Sequence, residues 1–212
     1  MNVHPLERVA SVAELLDYPG ADFLAGARKL AEFEAGLRMF VVAMEAMTPE
    51  GREELHTATF DLNPACVPYA GLHLFGEENF KRGEFMSALA ARQAETGFDA
   101  RRELPDHLAN LLRFLPACGT EEARELTEFC ILGPLTKMSE ALAAENPYRL
   151  LLEELAALLV RAFPGVVAAP SPLEKARAAG AGCPVPATGG CSCGPVSLPS
   201  PADDFLAQPV LT

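Results

Sequence analysis

The residues best suited to chemistry are concentrated between positions 59 and 115. His73 and His107 lie within this stretch, and His56 lies just before it. Its most distinctive part is the run ELPDHL at 103–108, in which a carboxylate stands next to an imidazole. Such a pair either caps and packs a helix or forms a polar hot spot for catalysis or for binding a cationic ligand. The spacing alone favours the structural interpretation.

The periodicity around this run predicts the helix that positions it. On a helix beginning at Leu104, with about 100° per residue, one face is apolar. That face carries Leu104, Leu108, Leu111, Leu112 and Leu115. Asp106, Asn110 and Arg113 fall on the opposite face, and His107 lies at the edge of the apolar stripe. Pro105 suits the first turn, because its missing N–H has no helical partner there. We therefore expect Asp106 to be exposed at the start of a core helix.

Other catalytic and metal-binding patterns are not found. The histidines form neither an HxxxH nor an HExxH pattern, and no GxSxG nucleophile elbow occurs. Lys81-Arg82 does not follow a glycine-rich phosphate loop. Adjacent helix residues point about 100° apart, so Asp106 and His107 are poorly placed to act as an acid–base pair with each other. We therefore expect no enzymatic activity and no resident cofactor.

The cysteines leave one alternative open. The C-terminal segment CPVPATGGCSC contains Cys183, Cys191 and Cys193. This spacing is not the paired CxxC arrangement of a zinc ribbon, and a fourth ligand would have to come from elsewhere. Exposed thiols are the interpretation we favour, and a metal-binding carrier or sensor is the alternative. The other cysteines, expected to be buried as small hydrophobic residues, are Cys66, Cys118 and Cys130.

Composition restricts the partners and the location. The 212 residues carry a formal net charge of −12, which argues against nucleic acid as a partner. The most apolar helix candidate, at 148–163, contains four charged residues and is shorter than the ~20 apolar residues that span a bilayer. The first ten residues lack the apolar run of a signal peptide, and the cysteines are not paired in a secretory pattern. We expect a cytoplasmic protein without stable membrane insertion.

Helical signals dominate the chain. The alanine-rich stretch 21–47 is helical in pattern, and the remaining candidates lie near 50–60, 64–74, 80–96, 104–118, 120–143 and 147–163. Capping residues followed by proline occur at Thr48-Pro49, Asn63-Pro64, Asn146-Pro147 and Ser171-Pro172. Gly133-Pro134 is expected to end or kink its helix. Since no segment alternates with period two for long enough to form a sheet, we predict an all-α fold.

The domain organisation follows from a change in composition near residue 170. Residues 1–169 are expected to form a single helical bundle. Residues 170–212 are rich in proline and glycine and lose helical periodicity after Ala179. Such a segment buries too little apolar area to offset the entropy of ordering. We therefore expect a short helix followed by a flexible, cysteine-containing tail.

Several short motifs resemble one family in their order and spacing. They are Thr59-Phe60-Asp61-Leu62, Leu74-Phe75-Gly76, Lys81-Arg82-Gly83, Gly97-Phe98, Glu103-Leu104-Pro105-Asp106-His107-Leu108 and Phe114-Leu115. Together they resemble the nitrate reductase delta-subunit (NarJ-like) family of molybdoenzyme assembly chaperones, which is related to the TorD and DmsD chaperones. Arg113 stands where the nitrate reductase branch usually has an acidic residue, and Gln93 where an aromatic residue is common. The resemblance implies a helical bundle of the TorD type.

The resemblance also implies a partner and a site. It implies a chaperone that binds the N-terminal or twin-arginine segment of the apo catalytic subunit of a molybdopterin oxidoreductase, nitrate reductase or a relative. It would assist molybdenum cofactor insertion before membrane docking or export, as a monomer or weak dimer. The expected peptide-binding residues are Tyr69, Leu72, Phe75, Glu103, Asp106 and His107. The acids would pair with arginines of the segment, and the apolar residues would line a groove.

Overall fold

The computed structural model describes residues 4–62, 64–77, 79–101 and 103–180. These residues form helices without a β-strand, and the all-α prediction is confirmed. The α-helices are α1 (Pro5–Ala13), α2 (Phe23–Ala31), α3 (Arg38–Glu45), α4 (Pro49–Phe60), α5 (Ala70–Phe75), α6 (Phe80–Glu95), α7 (Leu108–Phe114), α8 (Thr120–Glu125), α9 (Leu132–Ala141), α10 (Pro147–Ala162) and α11 (Pro172–Gly180). Short 3₁₀ turns follow α1 and α7 and precede α3. No helix in these ranges is both long enough and apolar enough to cross a membrane.

Local capping signals place several helix starts. Thr48 caps α4 by accepting a hydrogen bond from the Gly51 N–H at 3.1 Å, and Pro49 occupies the first helical position. Asn146 caps α10 through the Tyr148 N–H at 3.0 Å. These caps satisfy backbone donors that have no partner within the helix. The predicted starts of both helices are confirmed.

Helix α7 lies at the centre of the bundle. All seven of its residues are buried, including Asn110 and Arg113. It packs against α1, and α10 packs against α1, α3 and α9. Tyr148 at the start of α10 is fully buried and contacts the rings of Phe40, His56 and Phe60. The core is therefore built from apolar faces of α1, α7 and α10, with an aromatic cluster at one end.

The predicted start of α7 is wrong. The helix begins at Leu108, not at Leu104, and Leu104 is 45% exposed. His107 has an extended backbone and forms an isolated antiparallel bridge with Tyr69. In this bridge the Ala70 N–H donates to the Asp106 carbonyl at 2.9 Å, and the Leu108 N–H donates to the Pro68 carbonyl at 2.8 Å. Because the backbone groups of residues 106 and 108 are bonded to this distant segment, they are not available for a helical turn that begins at Leu104.

Two other predicted helices are shorter than expected. The stretch 21–47 is divided into α2 and α3 by residues 32–37, where the buried side chain of Glu34 pairs with Arg8 and Arg161. The helix predicted at 64–74 begins only at Ala70, because residues 64–69 form an irregular segment that leads into the bridge. Periodicity in the sequence did not reveal either of these tertiary contacts.

The interruption predicted at Gly133-Pro134 takes the form of a π-helical segment. Residues 126–131 adopt this conformation between α8 and α9, and the chain continues as a helix. Pro134 has no N–H to donate to the preceding turn, and a π segment accommodates that loss. Within this segment the Glu128 carbonyl accepts the Ala169 N–H at 3.0 Å. The segment that follows α10 is thereby attached to the π segment.

Helix α11 is attached to the bundle by a polar cluster at its start. Ser171 Oγ accepts the Glu174 N–H at 3.2 Å, and Glu174 accepts the Ser171 N–H at 2.7 Å, which is a capping box. Lys137 on α9 donates to the His73 carbonyl at 3.1 Å and pairs with Glu174 at 3.0 Å. The domain division at residue 169 stays a prediction, and the predicted flexible tail, at 181–212, lies outside the described residues.

Candidate functional site

A cleft of about 340 Å³ opens at the aromatic end of the core. It lies where the turn after α1, the end of α4, the 68–69 segment, residue 101 and the 103–108 segment meet. Its lining residues are Leu16, Asp17, Tyr18, His56, Phe60, Asp61, Pro68, Tyr69, Arg101, Glu103, His107, Leu108, Arg113 and Met138. Aromatic, acidic and basic side chains thus line one cavity, which is typical of a binding site with several kinds of contact.

The bridge between Tyr69 and His107 builds one wall of the cleft. The two rings pack edge to face with their centroids 5.4 Å apart. Burial lowers the pKa of His107, although the neighbouring Glu103 carboxylate partly opposes this shift. His107 is therefore a neutral imidazole near pH 7, and its Nδ1 is buried without a partner among the described residues. This ring offers a polar atom beneath the surface of an otherwise aromatic wall.

Asp106 anchors this wall from behind. Its side chain is fully buried, and Oδ2 accepts hydrogen bonds from Arg82 Nε at 3.3 Å and Nη2 at 3.2 Å. The pair passes so close to α5 that a Cβ on Gly71 would lie 2.5 Å from the carboxylate. The ion pair joins the 103–107 loop to α6 across α5. The expectation that Asp106 is exposed at the start of α7 is wrong, since Asp106 faces Arg82 instead of solvent.

Two buried amides fix the rest of the loop. Gln93 on α6 donates to the Pro105 carbonyl at 3.2 Å. Asn110 on α7 donates to the Leu104 carbonyl at 3.1 Å and to the Ala100 carbonyl at 2.9 Å. Asn110 was placed on the face opposite the apolar stripe, and it is fully buried because the loop covers it. The conformation that presents Glu103 and His107 to the cleft is thus set by polar groups inside the protein.

The acidic groups at the cleft mouth are open to solvent. Glu103 is exposed, and its carboxylate accepts a hydrogen bond from the Tyr69 hydroxyl at 3.4 Å. Burial, followed by the Glu103 charge, raises the pKa of that hydroxyl. Asp61 is 57% exposed at its side chain and lies 3.9 Å from His56 Nδ1. Among the described residues, no arginine or lysine is paired with Asp61 or Glu103. Within the described ranges, neither carboxylate has to give up an arginine or lysine partner to accept a cationic ligand.

Large apolar side chains stand next to these acids. Tyr18 follows Asp17 and is 55% exposed, and Leu62 follows Asp61 and is 73% exposed. Leu104 follows Glu103. Exposed apolar groups of this size are informative when they cluster at a cleft, because they mark surfaces that a partner covers. Each of these three cleft-lining carboxylates therefore has an exposed apolar residue next to it in the chain.

The side of the cleft near α1 is electrically balanced. Arg113 is nearly buried, and it donates to Asp17 at 2.7 Å and to Asn110 Oδ1 at 2.8 Å. Arg101 is 51% exposed and pairs with Glu14 at 2.6 Å and with Asp17 at 3.1 Å. Arg113 was placed on the face opposite the apolar stripe, and this network explains why a charged residue is buried there. The carboxylates here already have cationic partners.

The structure brings together half of the predicted binding residues. Tyr69, Glu103 and His107 line the cleft. Leu72 is half-buried on α5, and Phe75 is 3% exposed and packs against Phe85 in the core. Together with Asp106, they lie outside the lining. Sequence reasoning missed Asp17, Tyr18 and Asp61 as members of the site, although Asp61 belongs to the motif at 59–62.

The structure offers no metal site in the residues it describes. No group of three or more potential ligands is found within these ranges. Burial raises the pKa of Cys66, Cys118 and Cys130 to about 12, so these thiols are protonated and poor ligands or nucleophiles at neutral pH. The candidate ligands Cys183, Cys191 and Cys193 lie outside the described residues.

Comparison with protein families gives the decisive observation. The family model described as nitrate reductase delta subunit matches residues 25–163, which is more than half of the chain. The chain belongs to the nitrate reductase delta subunit family. This is a family of molybdoenzyme assembly chaperones and not of catalytic subunits. The match includes most of α2, the whole of α3 to α10 and the cleft residues from His56 to Met138. A search of individually curated proteins gives no match.

Proposed function

We propose that this delta-family protein is a cytoplasmic chaperone for the catalytic subunit of a molybdopterin oxidoreductase, nitrate reductase or a relative. It binds the N-terminal segment of that subunit, its client, before the molybdenum cofactor is inserted. It then holds the client until the subunit docks at the membrane or is exported. Membership of a family of assembly chaperones supports the general role, and the chemistry of the cleft supports the kind of segment that is bound.

The observation that carries the proposal is the presence, in one cleft, of open carboxylates that are each followed by an exposed apolar residue. Asp61 and Glu103 lack arginine or lysine partners in the described part of the chain. Leu62 and Leu104 follow them directly in the sequence, and both are exposed. A segment that carries arginines next to apolar residues satisfies both features, because its guanidinium groups pair with the acids while its apolar side chains cover these leucines.

The aromatic wall supports the same kind of ligand. Guanidinium groups stack favourably on aromatic faces as well as pairing with carboxylates. Tyr69 lies at this wall with its hydroxyl beside the Glu103 carboxylate. The net charge of −12 adds a long-range attraction, which raises the association rate of a cationic segment and weakens with added salt.

Calorimetric titration of the full chain with a short synthetic peptide tests the proposal. The peptide carries two adjacent arginines followed by leucine and phenylalanine. Glu103→Gln should weaken binding by about fivefold, which corresponds to one partly exposed ion pair of about 1 kcal/mol. Adding Asp61→Asn should weaken it by more than about tenfold if the two sites act independently.

Glu140→Gln is the matched control, since Glu140 is an exposed carboxylate on α9 outside the cleft lining. It removes the same charge and should leave the affinity within about twofold of the wild type. If the double cleft variant binds the peptide as tightly as the wild type, the cleft acids are not the binding groups and the proposal fails.

A further inference from the structure

Arg101 stands out because its backbone and its side chain are both held in place. Its φ angle is +50°, in the left-handed region that side-chain-bearing residues rarely adopt. Its N–H donates to Asp99 Oδ1 at 2.9 Å. Its guanidinium group donates to both carboxylate oxygens of Glu14, at 2.6 and 3.0 Å, and to Asp17 at 3.1 Å. An uncommon backbone conformation of this kind persists where surrounding contacts hold it.

These contacts lie at the cleft itself. Arg101 and Asp17 both line it, and Glu14 lies one turn before Asp17. The forked geometry on Glu14 is the geometry by which a guanidinium group binds a carboxylate most strongly. A surface arginine of the protein therefore occupies an acidic position that would otherwise be available to an arginine of a ligand.

The neighbouring arginine is held differently. Arg113 donates to the same Asp17 oxygen at 2.7 Å, but its side chain is only 6% exposed and is also bonded to Asn110. The Arg101 side chain is 51% exposed and extends from a loop. Since Arg101 can move into solvent without uncovering the core, it is the exchangeable partner and Arg113 is the fixed one.

We infer that Arg101 is an internal competitor for the client's guanidinium group: it pairs with Glu14 and Asp17 in the empty cleft and leaves them when a cationic client segment binds. This inference rests on the proposed function of the cleft. When the client's guanidinium group replaces that of Arg101, the number of ion pairs to Glu14 and Asp17 is kept. Arg101 is then no longer held in its left-handed backbone conformation. A cationic segment replaces the pairs that Arg101 gives up, whereas a neutral segment cannot and leaves Arg101 in place. Arg101 thus weakens the binding of cationic segments, because they must displace it.

Substitution of Arg101 tests this competition in the full chain with the arginine-bearing peptide. Arg101→Gln should tighten binding by about fivefold, the factor that corresponds to one partly exposed ion pair that no longer has to be displaced. The gain should disappear with a peptide in which citrulline, a neutral analogue, replaces each arginine. A change in loop structure alone would affect the two peptides alike.

Arg101→Lys separates displacement from simple repulsion between cations. Lysine keeps the charge but loses the fork on Glu14, so displacement predicts that this variant also binds the arginine peptide more tightly than the wild type. Arg92→Gln is the matched control, because Arg92 is a partly exposed arginine held by Glu95 and Glu122 outside the cleft lining. It should leave the affinity unchanged.

The outcomes distinguish this inference from the function on which it rests. If the wild type binds the arginine peptide in preference to the citrulline peptide, and the Gln and Lys variants of Arg101 bind no more tightly, only the competition is overturned. If the Gln variant alone gains affinity, repulsion replaces displacement and the competition is again overturned. If no form of the protein prefers the arginine peptide, both the inference and the proposed function fail.

Discussion

Asp106→Asn is expected to destabilise the fold strongly while changing little of the surface. The substitution keeps the size of the side chain but leaves Arg82 without its counter-charge. Loss of one partner of a buried ion pair costs about 3–5 kcal/mol. Because 19% of the Arg82 side chain is exposed and can be rehydrated, we expect a value near the lower limit, about 3 kcal/mol. For a chain of this size that corresponds to a Tm lower by about 6–12 °C.

Thermal and urea unfolding of the wild type and the variant measure this effect. Arg149→Gln is the matched surface control, because Arg149 pairs with Glu153 at 3.0 Å and the two side chains are 37% and 48% exposed. Its cost should be about 0.5 kcal/mol or less. If Asp106→Asn melts like the wild type and instead loses affinity for the arginine-bearing peptide, Asp106 faces the client and its assignment as an internal anchor is wrong.

Two further predictions concern the same region. Gly71→Ala should lower the Tm, because the added Cβ would lie 2.5 Å from the Asp106 carboxylate. Gly83→Ala on α6 is the control: the added Cβ has open space, and the variant should be stabilised by up to about 1 kcal/mol through higher helix propensity. A higher Tm for Gly71→Ala than for Gly83→Ala would contradict the close approach of the carboxylate to Gly71. Burial lowers the pKa of His73 and of His107 in the folded protein. As the pH falls, these histidines therefore become protonated in the unfolded chain at a higher pH than in the folded protein. The free energy of unfolding should then fall as the pH drops below about 6.5. Urea unfolding between pH 7.5 and 5.5 should show this fall, and it should be smaller in the double His→Gln variant; an equal slope in the two proteins would refute the assignment.

The features predictable from sequence are those set by near neighbours. Thr48 and Asn146 cap helices through donors two or three residues away, and both helix starts are confirmed. Leu108, Leu111 and Leu115 follow one helical stripe and are buried. In each case the interaction that decides the structure lies within one turn of the chain, so a local pattern is sufficient.

The features that escaped sequence analysis depend on distant partners. Asp106 is bonded to Arg82, 24 residues earlier, and its backbone pairs with Ala70. The spacing of apolar residues in the sequence contains no information on such contacts. The predicted helix therefore placed the Asp106 carboxylate in solvent. The same limit applies to the cleft, where Asp61 and Glu103 come together from separate motifs. The resemblance identified the family correctly but did not distinguish residues that face the cleft from residues that hold its wall.

Capture of the client by the full-length protein tests the central claim most directly. The tagged wild type and the Asp61→Asn, Glu103→Gln double variant are used to isolate partners from cells that produce the protein, and the captured proteins are identified by mass spectrometry. The wild type should retain a molybdopterin oxidoreductase catalytic subunit without its cofactor. Retention should fall sharply in the double variant and when the N-terminal segment of that subunit is deleted. Equal capture by the two proteins, or capture that does not depend on that segment, would contradict the central claim.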